Sequence, residues 1–238
     1  MAETALIMKP SVRSGRYPYP GPPESAETSV VPSGRGIDVI RVSFDSPLPS
    51  GEPCNDVVTA RFFSPASSAV GQPVVLLPGL FGRRLSFWDS MARSLAHRGF
   101  PVLLVGLPYL FERRPEGTPR GYPFICVDPA RALPAYEQAV ADVRASVDWL
   151  LDRQRRGGQR TAPTLLGVSL GAFISVIASA MEPRLRGLVL MFGGGDLDRV
   201  VSGGTYGFRV RRQLRNLSIT EEKRRRARLE YDSYLRAV

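Results

Sequence analysis

The stretch Pro163-Thr164-Leu165-Leu166-Gly167-Val168-Ser169-Leu170-Gly171-Ala172 constrains this chain more than any other. A short apolar run ends in Gly-x-Ser-x-Gly, and a second apolar run, Leu170 to Met181, begins at once with helical character. That order predicts strand, sharp turn and helix, with Ser169 at the apex. A serine there holds a strained backbone, so the positions two residues away must lack bulk. Gly167 and Gly171 meet that demand, and Ala172 keeps the next position small. The turn lifts the Ser169 hydroxyl above the sheet and aims the Leu170 N–H at whatever the serine attacks. The string alone arises by chance in Gly-rich chains, and the competing reading is a Gly-rich turn opening a buried helix.

The chain around this turn alternates strand and helix signals. Met1 to about Gly36 holds Tyr17-Pro18-Tyr19-Pro20-Gly21-Pro22-Pro23 without sustained periodicity and reads as a flexible or extended arm. Ile37 to Phe44 and Val57 to Phe63 read as strands of a hairpin or meander. Val74 to Leu77 is a short buried strand running into Pro78-Gly79-Leu80-Phe81-Gly82. A helix capped by Ser86 and ended by Gly99 follows, with Trp88, Met91 and Leu95 as its apolar stripe. Pro101 to Val105 is the next strand. Gly106 to Val127 is long for a connection, which points to a functional or inserted loop. A helix starts at Asp128-Pro129, is expected to restart at Pro134, and keeps Tyr136, Val140, Val143, Val147 and Leu150 on one face until Gly157-Gly158. After the central turn and its helix, Gly187 to Phe192 is a sixth strand, followed by Gly193-Gly194-Gly195-Asp196. Such alternation argues an α/β fold, a mostly parallel sheet with helices on both faces. The division expected is an arm over 1–36, a core over 37–200 and a basic helical segment over 201–238, read as the start of a cap.

Composition narrows the function classes. At 238 residues, 43% hydrophobic and 23% charged, the chain suits an ordinary globular protein. No run approaches a membrane span, and Met1 to Pro10 carries no secretory signal, so a cytoplasmic location is expected. Cys54 and Cys126 lie far apart without metal spacing and fit a reducing compartment, although a single bridge stays open. No metal is expected. The net charge of +10 is concentrated: Arg209 to Arg228 holds nine Lys/Arg and two Glu, hence +7, leaving +3 elsewhere. The only lysines are Lys9 and Lys223, so the basic residues reflect an arginine preference as readily as phosphate binding. A solvated basic helix face is preferred over a nucleic-acid site.

Gly167-Val168-Ser169-Leu170-Gly171, together with Leu77-Pro78-Gly79-Leu80-Phe81-Gly82 one strand-helix-strand-helix earlier, resembles the α/β-hydrolase superfamily over about residues 37–200. Dienelactone-hydrolase-like and esterase-like proteins are the nearest in character. The resemblance implies Ser169 as nucleophile and the N–H groups of Leu80 and Leu170 as the oxyanion hole. Two backbone donors beside a serine are what acyl transfer requires. Pro78 stands where the family usually has histidine. A small ester or related acyl substrate and no cofactor are implied; oligomeric state is not.

The departure from the family lies in the base. A working triad runs serine, acid, late histidine. This chain has one histidine, His97, and it precedes the serine. It falls on the helix face opposite the apolar stripe, about 16 Å below the serine at 1.5 Å per residue, where it reads as a solvent-facing residue at a helix C-terminus and not as the base. Asp196, after the sixth strand, is the candidate acid, with Asp198 a weaker one and a loop cap the alternative. Glu112, Arg113 and Arg114 either line the site or form a solvated cluster, the second being preferred. Three functions stay open: a serine hydrolase whose seventh and eighth strands lie beyond the chain, slow or inactive without them; a non-catalytic hydrolase-like binding module; and a basic nucleic-acid- or membrane-surface-binding protein.

Overall fold

The computed structural model describes residues 17–32, 36–65, 71–80, 82–124 and 128–193, together with 222, 225 and 229. Ten elements follow in chain order. They are β1 (Glu27–Val31), β2 (Ile37–Asp45), β3 (Val57–Pro65), β4 (Val74–Leu77), α1 (Asp89–His97), β5 (Val102–Val105), α2 (Pro129–Arg156), β6 (Thr164–Val168), α3 (Leu170–Met181) and β7 (Gly187–Met191). The strands form one sheet in the order β1-β2-β3-β5-β4-β6-β7. β5, β4, β6 and β7 run parallel, and β3, β2 and β1 add antiparallel to the β5 side.

The four-residue strands β4 (VVLL) and β5 (VLLV) are buried at every position, as expected of parallel strands covered on both faces. Side chains alternate across a strand, and β3 shows which helix covers which face. Arg61 pairs with Asp89 of α1 at 2.9 Å, while Phe62 meets Trp149 of α2 edge-on at 5.5 Å. α1 and α2 therefore lie on opposite faces, and α3 packs beside α2.

Topology creates a crevice. From β4 the chain crosses to β5 on one side, then passes through α2 to β6 on the other side of β4. The connections leaving β4 and β6 diverge above the C-terminal ends of those strands, the switch point at which open α/β sheets bind ligands. The Leu77↔Gly167 register sets the two departing turns side by side.

Three local readings need correction. β1 lies inside the stretch read as an arm, and Tyr17 is almost fully buried; β1 itself is nearly all exposed, so it shows no apolar alternation and is held by pairing with β2. α2 runs unbroken through Pro134 for 28 residues. That proline is solvent-exposed and sits near the helix start, where its missing N–H forfeits a single ladder bond. The expected helix at Ser86 opens instead as a 3-10 turn, Leu85–Trp88, before α1. The buried centre of α1 is Ala92 and Ala96, with Met91 and Leu95 only half-buried beside it. At the far edge β7 pairs only with β6 among the described residues, and Leu188, Val189, Leu190 and Met191 stay 36–44% exposed.

Candidate active site

Ser169 sits between β6 and α3 with φ 53° and ψ −115°, a left-handed conformation that costs a non-glycine residue about 1–3 kcal/mol. The surroundings hold it there. Its N–H donates to the Met191 carbonyl oxygen of β7 at 2.8 Å, and its own carbonyl accepts from the N–H groups of Ala172 and Phe173. The side chain makes no capping bond to α3 and is partly exposed. As the first residue of α3, Leu170 has an N–H without an intrahelical acceptor.

Each small residue of the motif answers a specific close approach. A methyl at Gly167 would lie 2.3 Å from Ser175 Oγ and 2.4 Å from the Gly171 carbonyl oxygen. One at Gly171 would lie 2.3 Å from the Leu77 carbonyl oxygen, so α3 rests directly on the end of β4. Gly79, in the turn leaving β4, is the direct neighbour of the serine: a methyl there would meet Ser169 Cβ at 3.0 Å and its Oγ at 3.7 Å. Gly193 presses on Ala172 from the β7 side, where a methyl would come within 2.8 Å of the alanine Cβ. Ser169, Leu170 and the Pro78–Leu80 turn thus converge above the switch point.

The loop after β5 braces that turn. Arg120 Nη1 donates to the Leu80 carbonyl oxygen at 3.3 Å, Gly121 lies against the Leu80 side chain, and Glu112 accepts from the Leu85 N–H at 3.3 Å. The loop is itself anchored by Arg113, which corrects the expectation of a solvated charge cluster. Arg113 is 0% exposed; it donates to the Asn55 carbonyl oxygen through Nε (2.9 Å) and Nη2 (2.5 Å) and to the Gly106 carbonyl oxygen through Nη1 (2.9 Å). Its Nη1 also lies 2.8 Å from Asp142 Oδ2 of α2. That contact is an ion pair off the hydrogen-bonding line, since Oδ2 has no aligned donor, whereas Oδ1 accepts from Ser46 Oγ at 2.6 Å. Burial pushes the Asp142 carboxyl above its ordinary range, opposed by the Arg113 charge and the Ser46 bond. Glu112 and Arg114, by contrast, are exposed.

His97 is the exposed last residue of α1, as the sequence indicates. Asp196, Asp198, Cys126 and the basic 209–228 stretch, apart from Glu222 and Arg225, lie outside the described residues, and Cys54 is a free, exposed thiol. Among the described residues no three His, Cys, Asp or Glu side chains cluster as a metal site, and no helix is long and apolar enough to cross a membrane. A groove of about 770 Å³ opens elsewhere, between residues 22–28 and the end of α2 at Trp149, Arg153 and Gln154. Pro101 and Gln159, which precede β5 and β6, line it, so it lies at the opposite end of the parallel strands from Ser169.

Comparison with known proteins agrees with this architecture. The chain resembles the solved acetyl xylan esterase 1 of Thermoanaerobacterium sp. JW/SL YS485 with a TM-score of 0.58 at 15% identity, covering 84% of this chain and 64% of that one. It resembles an acetyl xylan esterase from Paenibacillus sp. R4 with a TM-score of 0.57 at 18% identity, covering 90% of this chain and 68% of that one. The chain thus spans about two thirds of the length of these structures, and at such identity the likeness is one of fold. No curated protein matches its sequence. The alpha/beta hydrolase fold family model matches residues 72–209, which run from β4 past the serine turn and β7. The chain belongs to the α/β-hydrolase fold family.

Proposed function

We propose that this is an esterase-like serine hydrolase acting on small ester or related acyl substrates, with Ser169 as nucleophile. The observation that carries the reading is the strained Ser169 packed against Gly79, so that its hydroxyl lies beside the turn leading to Leu80. Strain of this kind persists where function needs it. The acetyl xylan esterases of like fold lend support of a coarser kind.

In this reading the Ser169 oxygen attacks the ester carbonyl carbon and its proton passes to a base. The carbonyl oxygen becomes an oxyanion received by the Leu80 and Leu170 N–H groups. Collapse breaks the ester bond and expels the alcohol, which takes up a proton, and water then hydrolyses the acyl-serine to acid and free enzyme. Asp196, five residues beyond β7, is the candidate acid for orienting a base. The single histidine is the exposed His97, so Ser169 in this 238-residue chain stays protonated and reacts slowly. Loss of nucleophile or base in serine proteases costs about 10⁴–10⁶ in turnover.

The location of His97 also favours a second reading, a hydrolase-like module that binds acyl ligands in the same crevice without turning them over. Hydrolysis of p-nitrophenyl acetate separates the two. Slow turnover that disappears in Ser169→Ala supports the hydrolase; turnover equal in both proteins refutes it and leaves the binding module.

A further inference from the structure

The turn that carries Gly79 and Leu80 is short, glycine-rich and mostly outside regular structure, yet the proposed chemistry needs it held still. Three contacts from the loop after β5 reach it. Arg120 donates to the Leu80 carbonyl oxygen, Gly121 packs on the Leu80 side chain, and Glu112 accepts from the Leu85 N–H. The loop thereby fastens the chain on both sides of Gly82, whose φ is +85°. Its own shape is equally specified. The Tyr109 N–H donates to Asn55 Oδ1 at 2.9 Å, and the Gly121 N–H donates back to the Tyr109 carbonyl oxygen. Tyr109 and Phe111 both hold positive φ, near +55°.

One buried charge sits at the base of this loop. Arg113 ties the loop to Asn55 in the β2–β3 connection, to Gly106 at the end of β5 and to Asp142 on α2. Gln138 of α2 accepts from Asn55 Nδ2 at 2.8 Å and closes the network. An ion pair with both side chains at 1% exposure or less is a poor device for stability alone, because well-packed apolar residues generally serve as well. It does fix one geometry, since the guanidinium fork reaches the Asn55 and Gly106 carbonyl oxygens and lies beside the Asp142 carboxylate in a single orientation.

We infer that Arg113 and Asp142 are positioning residues: through the loop carrying Glu112 and Arg120 they hold the Pro78–Leu80 turn against Ser169, and hence the Leu80 N–H where an oxyanion would form. The inference builds on the ester-hydrolase reading of Ser169 but predicts a mechanical effect that does not depend on it.

Two variants of the full chain test it. Arg113→Met with Asp142→Leu removes the pair without stranding a charge. Arg120→Gln removes one fastening at a half-exposed position and leaves the core untouched. Hydrogen–deuterium exchange is read for peptides covering 78–85 and 165–175, alongside the rate of Ser169 modification by a fluorophosphonate. The expected result is exchange at least tenfold faster over 78–85 in the double variant and several-fold faster in Arg120→Gln, with 165–175 unchanged. Arg113→Lys should rescue only in part, because an ammonium cannot span Asn55, Gly106 and Asp142 together. Where the parent protein is modified at Ser169, modification slows about tenfold in the double variant. Unchanged exchange over 78–85 in both variants, or equal acceleration in both segments, overturns the positioning role. A parent protein that resists modification while 78–85 loosens as expected overturns the hydrolase reading and leaves the positioning role standing.

Discussion

Replacing Gly171 by alanine tests the packing on which the site depends. In an exposed helix the exchange would stabilise by about 0.5–1 kcal/mol. Here the added methyl would stand 2.3 Å from the Leu77 carbonyl oxygen, 2.7 Å from its carbon and 2.8 Å from the Pro78 carbonyl oxygen. Ordinary contact begins at 3.4 Å, so α3 and the end of β4 must separate by about 1.1 Å. The atoms involved are backbone in a buried strand end and its turn, and cannot swing aside as a side-chain tip would. Overpacking of this sort costs about 1–3 kcal/mol and occasionally more. Set against the helix-propensity gain, a net loss of about 1–2 kcal/mol is expected. At about 2–4 °C per kcal/mol for a chain of this size, Tm falls by about 2–8 °C. Thermal unfolding followed by circular dichroism, with urea unfolding in parallel, reads this directly. Gly157→Ala is the matched control: φ is −85° and a methyl there would approach nothing closer than 3.5 Å, so stability should hold or rise by about 0.4–1 kcal/mol. A Gly171→Ala protein as stable as its parent would refute the close approach of α3 to β4.

Other perturbations have equally definite outcomes. Ser169→Gly relieves a φ of 53° and should raise stability by about 1 kcal/mol, once the greater freedom of glycine in the unfolded chain is subtracted, while abolishing any Ser169 chemistry. A loss of stability would mean that the turn is not strained. Arg113→Met alone strands the buried Asp142 and should cost about 3–5 kcal/mol in urea unfolding, whereas the paired replacement with Asp142→Leu costs far less. Burial tends to raise the Asp56 carboxyl pKa, but bonds from Ser50, Gly51 and Gln138 outweigh it and hold the pKa below the ordinary 3.8. Asp56 therefore stabilises the fold fully above that value and ceases to do so as pH falls through its folded pKa. The deficit of Asp56→Asn should be constant near neutrality and shrink as pH falls below the ordinary carboxylate range; a deficit that grows in acid would contradict the sign.

The serine turn was legible because its logic is local. Every small residue in Gly-x-Ser-x-Gly-Ala is required by contacts inside the strand–turn–helix or one strand away, and the apolar runs of β4, β5 and β6 announce buried parallel strands. The long loop could be read as functional from its length alone. What it does could not, because Arg113 meets Asn55 and Asp142, 58 and 29 residues away. In the sequence it is one arginine of an Arg-Arg pair, and nothing local separates the buried member from its exposed neighbour. β1 stayed hidden because an exposed edge strand is held by backbone pairing that leaves no apolar pattern. The stripe of α1 was read one residue off centre because the small Ala92 and Ala96, not the larger Met91 and Leu95, carry the close packing.

Covalent capture asks outright whether Ser169 is a nucleophile set into an oxyanion-binding turn, as proposed. A fluorophosphonate needs both an attacking serine and donors for the developing charge. Trypsin should release residues 161–184 as one peptide, bounded by Arg160 and Arg184, holding Ser169 together with Ser175 and Ser179. Modification of this peptide should be slow, confined to Ser169 by fragment-ion mapping and absent in Ser169→Ala. Modification spread over surface serines, or unchanged in Ser169→Ala, would contradict it.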